Sequence, residues 1–145
     1  MTCFLVGMTA HGRFNEWIGA LVLLGLSITL SLPGDTFATA PSFASFAPWF
    51  GGEAALAVPV AIIATARIAA LLVNGRIPYS HRFRAGCAIL GASVFMGLAL
   101  LFAAPLASGA TAAPSLAVTT YLVLALGDLV AAWRAGADVR LTRWH

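Results

Sequence analysis

From Ala85 to Ala107 the chain runs for 23 residues without a charged side chain. An α-helix rises ~1.5 Å per residue, so a stretch of this length crosses the ~30 Å hydrocarbon core of a bilayer. Three other segments are also long and predominantly apolar: about Trp17 to Leu32, stopped by Pro33-Gly34; about Ala54 to Val73, ending at Asn74-Gly75; and about Leu116 to Trp133. The first is short, and Phe14 with local thinning of the bilayer completes it. Only 9% of the 145 residues are charged, against roughly 25% in soluble domains. So few charges cannot coat a water-soluble globule this small, whereas lipid tolerates such a surface. The expectation is an all-α membrane protein, one four-transmembrane-helix bundle over residues 1–145, with the lipid bilayer as its principal partner.

The arginines set a direction. All eight basic residues are Arg, and seven lie in the same set of connections. Arg13 precedes the first span; Arg76, Arg82 and Arg84 lie between the second and third; Arg134, Arg140 and Arg143 follow the fourth. Residues 33–52 carry Asp35 but no Arg, and residues 108–115 carry no charge. The positive-inside rule puts the arginine side in the cytoplasm of a bacterial inner-membrane protein, with both termini there. An even number of spans agrees. Trp17, Tyr79, Trp133 and Trp144 then fall near the cytoplasmic face and Trp49 near the outer one, the headgroup level that such rings prefer. The net charge of +3 is thereby an orientation signal. A nucleic-acid site needs a basic face with base-stacking aromatics, and none is present, so no nucleic acid is expected as partner.

The connection between the first two spans is apolar. Phe43, Phe46 and Phe50 recur at helical spacing, beside Phe37 and Trp49. A short interfacial helix here would bury that face in lipid or against the bundle. A cap over the bundle mouth is the plainer reading; a re-entrant segment or a partner-binding surface is the alternative.

Two ionisable residues lie inside spans: Arg67 in the second and Asp128 in the fourth. A charge at mid-span costs about 2.5–3.5 kcal/mol on insertion scales, so such groups face the bundle interior and pair. Arg67 stands seven residues before Asn74, and Asp128 six before Arg134. At ~1.5 Å per residue each is roughly 9–11 Å inside the same boundary, on spans that run in the same direction. An Arg67–Asp128 ion pair is expected, the guanidinium fork matching the carboxylate in two-point contact. It either fixes helix register or lines an ion or proton path; Arg67 alone could instead snorkel to the headgroups. Glu16, Asn74 and Arg84 stand near the same end as a candidate polar cluster, Glu16 reading as a boundary ion-pair partner of Arg13 or Arg84. Glu53, at the outer start of the second span, complements the helix dipole.

Small residues recur every fourth position: Ala57, Ala61, Thr65 and Ala69 in the second span, Cys87 and Gly91 in the third, Gly127 and Ala131 in the fourth. This spacing lets membrane helices approach closely, within the chain or in a homo-oligomer. No catalytic site is expected. His11, His81 and His145 have no ligand spacing; there is no Walker loop, GxSxG or GxGxxG; Cys3 and Cys87 form no disulfide framework. No metal and no cofactor are expected. Met1 to Ala10 lacks the leading charge and cleavage site of a signal peptide and reads as a tail, with Met8 an alternative start.

The Trp17-led span followed by Pro33-Gly34-Asp35-Thr36-Phe37, the Arg67-Ile68-Ala69-Ala70-Leu71 stretch with Asn74-Gly75, and Asp128-Leu129 followed by Arg134-Ala135-Gly136-Ala137-Asp138 resemble small four-span integral membrane proteins of phages and prophages. The resemblance covers residues 16–140. It implies a non-enzymatic, holin-like membrane protein that self-associates. The alternative is a small channel or transporter subunit using Arg67 and Asp128. Small four-span drug exporters differ: the deep glutamate of their first span is missing here.

Overall fold

The computed structural model describes residues 14–43, 45–73, 80–111, 113 and 115–141, with only the backbone at 41, 80, 81 and 137–141. The tail 1–10 with Cys3 and Met8, and His11, Arg13, Asn74, Gly75, Arg76, Tyr79, Arg143, Trp144 and His145, lie outside the described residues. Four helices are long and apolar enough to cross a membrane: α1 (Phe14–Ser31), α2 (Glu53–Val73), α3 (Ser80–Ala107) and α4 (Leu116–Leu141). The protein is an all-α, multi-pass four-helix membrane bundle.

The apolar segments mark the hydrocarbon core; the helices overrun it. α3 starts five residues before Ala85, and α4 continues eight beyond Trp133. Backbone hydrogen bonding does not stop at the headgroups, and Arg-Ala-Gly-Ala-Asp after Trp133 contains no proline to end it. α1 ends just before Pro33. α3 is closed by Gly109 in the left-handed region (φ 73), where the Ala110 N–H donates back to the Pro105 carbonyl at 2.9 Å.

α3 and α4 form one tightly packed hairpin and α1 and α2 another; the seams α2/α3 and α1/α4 are looser, and the diagonal pairs α1/α3 and α2/α4 touch little. The inward face of α2 carries Leu56, Val60, Ala64, Arg67 and Leu71, and that of α4 carries Ala125, Asp128, Ala131 and Ala135. Both are single helical stripes at three- and four-residue spacing. The small-residue ladder of α2 only partly faces inward. Ala57 is buried, but Thr65 is exposed, and its hydroxyl donates to the Ala61 carbonyl at 2.8 Å. That internal bond makes a hydroxyl acceptable on the lipid side.

The connection between α1 and α2 folds over the end of the bundle that carries no arginine. It is helical in three short pieces, Thr36–Thr39, Pro41–Phe43 and Ala47–Phe50, broken by prolines and by Gly51 (φ 65). Its phenylalanines turn into the protein. Phe46 is fully buried, and its ring lies 4.9 Å from Phe43 and 5.0 Å from Phe102 of α3. Phe37 joins them at 5.8 Å from Phe46. Below, Phe102 stacks on Tyr121 of α4 at 5.5 Å, and Tyr121 on Phe95 at 6.1 Å. Two hydrogen bonds pin the cap: the Phe37 N–H donates to Glu53 Oε1 at 2.9 Å, and Ser45 Oγ donates to the Leu101 carbonyl at 2.9 Å. Glu53 thus fastens the cap to α2 as well as complementing its dipole. Trp49 alone of the cap's large rings points away, 77% exposed.

Candidate functional site

At the arginine end each helix contributes one charged residue to the interior: Glu16 from α1, Arg67 from α2, Arg84 from α3 and Asp128 from α4. Arg67 and Asp128 meet in the two-point contact that guanidinium and carboxylate geometry favours. Arg67 Nη2 donates to Asp128 Oδ1 at 2.6 Å, and Nη1 donates to Oδ2. The two side chains are 3% and 2% exposed, so neither charge has water to fall back on. Arg84 grips Glu16 in the same manner, Nε donating to Oε2 at 3.1 Å and Nη2 to Oε1. Arg67 Nη2 also approaches the Glu16 carbonyl at 3.5 Å, which joins the two pairs.

The pairs cross. Arg67 and Asp128 sit on diagonally opposed helices, as do Glu16 and Arg84. Each pair therefore links the α1–α2 hairpin to the α3–α4 hairpin. A diagonal contact through the centre of a four-helix bundle needs the other two helices to give way, and glycine provides the room. A Cβ on Gly19 of α1 would lie 2.8 Å from Arg67 Nη2 and 3.0 Å from Asp128 Oδ1. A Cβ on Gly91 of α3 would strike Arg67 Nη1 and Asp128 Oδ2 and lie 2.9 Å from Arg67 Cζ. The salt bridge is clamped between two glycine backbones.

Of the residues singled out from sequence, Arg67 and Asp128 are brought together, and so are Glu16 and Arg84; Asn74 lies outside the described residues. Gly19 and Gly91 were not recognisable as part of this site. Gly91 stood in a small-residue ladder with Cys87, and Gly19 lies three residues after Glu16, on its face of α1.

Grooves open laterally between the helices among the described residues. One, of about 420 Å³, lies between α1 and α4 and is lined by Asn15, Ile18, Val123, Leu126, Gly127 and Val130, with Leu124. Another, of about 240 Å³, lies between α2 and α3 against Pro59, Ile63, Val94 and Gly97. None of the four paired charges lines either groove. Among the described residues no three His, Cys, Asp or Glu side chains converge as metal ligands. What the charged cluster does chemically is neutralise itself. Comparison of the chain with protein-family models, with curated proteins and with solved structures finds no match.

Proposed function

We propose that this chain is a non-enzymatic, self-associating protein of the bacterial inner membrane, holin-like in the manner of small phage and prophage membrane proteins, with its arginine end in the cytoplasm. The observation behind this reading is the fate of the charges that the four helices turn into the bundle. All four are consumed in crossed pairs that dock one hairpin on the other, and none is turned toward a groove. The bundle presents its surroundings with apolar side chains such as Ile62, Leu100 and Val123, each more than half exposed. Such a wall suits lipid and further copies of the chain, not a polar substrate. The one-sided arginines support the orientation. Induced expression beside a cell-wall-degrading enzyme should stop growth abruptly and release a cytoplasmic marker enzyme. Undisturbed growth, with the protein present in the membrane, would refute the proposal.

A small channel or transporter subunit is the second reading, favoured by one feature: both ion pairs straddle the seams between the hairpins, so rocking the hairpins apart would bare opposite charges along a path. In sealed vesicles Asp128→Asn should then insert normally yet lose ion flux. Equal flux in the two proteins removes this reading.

A further inference from the structure

The helix face that lines the α1/α4 groove carries an exposed cation, Arg134, one turn beyond the groove toward the arginine end, and we infer that groove and cation together bind one anionic phospholipid. Val123, Gly127, Val130 and Arg134 follow one another on α4 at intervals of four, three and four residues, so they share one helix face. The first three line the groove. Arg134 stands at the same face's arginine end, exposed, and has no ion-pair partner among the described residues.

The opposite wall reaches the same level. Asn15 and Ile18 of α1 line the groove, and Asn15 is exposed. Asp128 lies beside Gly19, so the two helices can be set in register there. From that level Asn15 is four residues and Arg134 six residues toward the arginine end. At ~1.5 Å per residue the amide and the guanidinium are about 6 and 9 Å along, within reach of one headgroup. Below them the groove is apolar down to Val123. An acyl chain fills the apolar part, and a phosphodiester meets Arg134 and Asn15 at its mouth. Exposed Trp133, beside Arg134, marks the same interface.

Gly127 decides whether the groove is open. An added Cβ there would meet nothing within 4 Å, so a larger side chain enters the groove without disturbing the packed helices.

The test uses the full chain in mixed micelles containing phosphatidylglycerol and phosphatidylcholine at equal amounts, with native mass spectrometry to count retained lipids. The wild type should hold one phosphatidylglycerol in preference to phosphatidylcholine. Arg134→Gln should keep a lipid but lose about fivefold in headgroup preference, the worth of one basic residue near an anionic surface. Gly127→Leu should lose the lipid of either kind while its thermal transition is unchanged. Added inorganic phosphate should displace nothing. Headgroup preference unaltered in Arg134→Gln, or a lipid still held by Gly127→Leu, overturns the assignment. So does a Gly127→Leu protein that loses a dimer in place of a lipid, which gives the groove to a second copy.

Discussion

The two ends of the bundle are closed by opposite means. At the arginine end four charges from four helices meet in two crossed pairs. At the other end Phe37, Phe43, Phe46 and Phe102 interleave under a folded connection. The aromatic end is held by area and shape, which many side chains can supply. The charged end depends on direction: a guanidinium satisfied by one carboxylate in one geometry. Within lipid, apolar contact scarcely distinguishes a neighbouring helix from an acyl chain, so contact alone does not fix which hairpin face meets which. The crossed pairs supply that choice, and the cap adds packing where the chain meets water.

If this contrast is right, the charged end should fail on the smallest chemical change. Asp128→Asn keeps the shape but strands the Arg67 guanidinium, 3% exposed. Breaking a buried pair this way costs about 3–5 kcal/mol, which unfolding in mixed micelles will read as the largest loss of the series. Gly91→Ala comes next. Its methyl displaces the salt bridge itself, and overpacking of this kind costs roughly 1–3 kcal/mol; a loss no greater than that of a lipid-facing control would break the clamp argument. At the aromatic end, Phe46→Leu keeps an apolar side chain in a fully buried site. It should lower stability by less than about 1.5 kcal/mol, on the tolerance of cores for similar apolar volumes. A collapse as large as that of Asp128→Asn would erase the contrast. Smallest is Gly25→Ala, where an added Cβ meets nothing within 4 Å. It should raise stability by roughly 0.5–1 kcal/mol by stiffening α1.

The same contrast explains what could be read from the chain beforehand. The four spans follow from apolar length, and Arg67 with Asp128 from equal depth on parallel helices; both are one-dimensional properties. Glu16 had two arginines within reach in sequence terms, Arg13 and Arg84, and it takes the packing of α1 across from α3 to bring Arg84 to it. The diagonal crossing was not legible, because depth says nothing of which helices are neighbours. Gly19 and Gly91 were hidden for the same reason: a glycine that makes room for another helix's side chain looks, in sequence, like the glycines at 25 and 97, which face open space. The spacing of Phe43, Phe46 and Phe50 points to a short interfacial helix. The segment instead forms separate pieces that begin at Pro41 and, with Pro48 in its first turn, at Ala47, yet the rings still gather on one side, because the shared target is the bundle end.

The central claim is that Arg67 and Asp128 act as one unit joining the two hairpins, and a double-mutant cycle tests it most directly. Unfolding would be followed in mixed micelles for the wild type, Arg67→Met, Asp128→Leu and the two combined. The account predicts that either single change costs about 3–5 kcal/mol and that the combination recovers most of it, since an apolar pair strands no charge. A double variant that loses the sum of the two single losses would show that the residues act independently, and the crossed-pair account would fall.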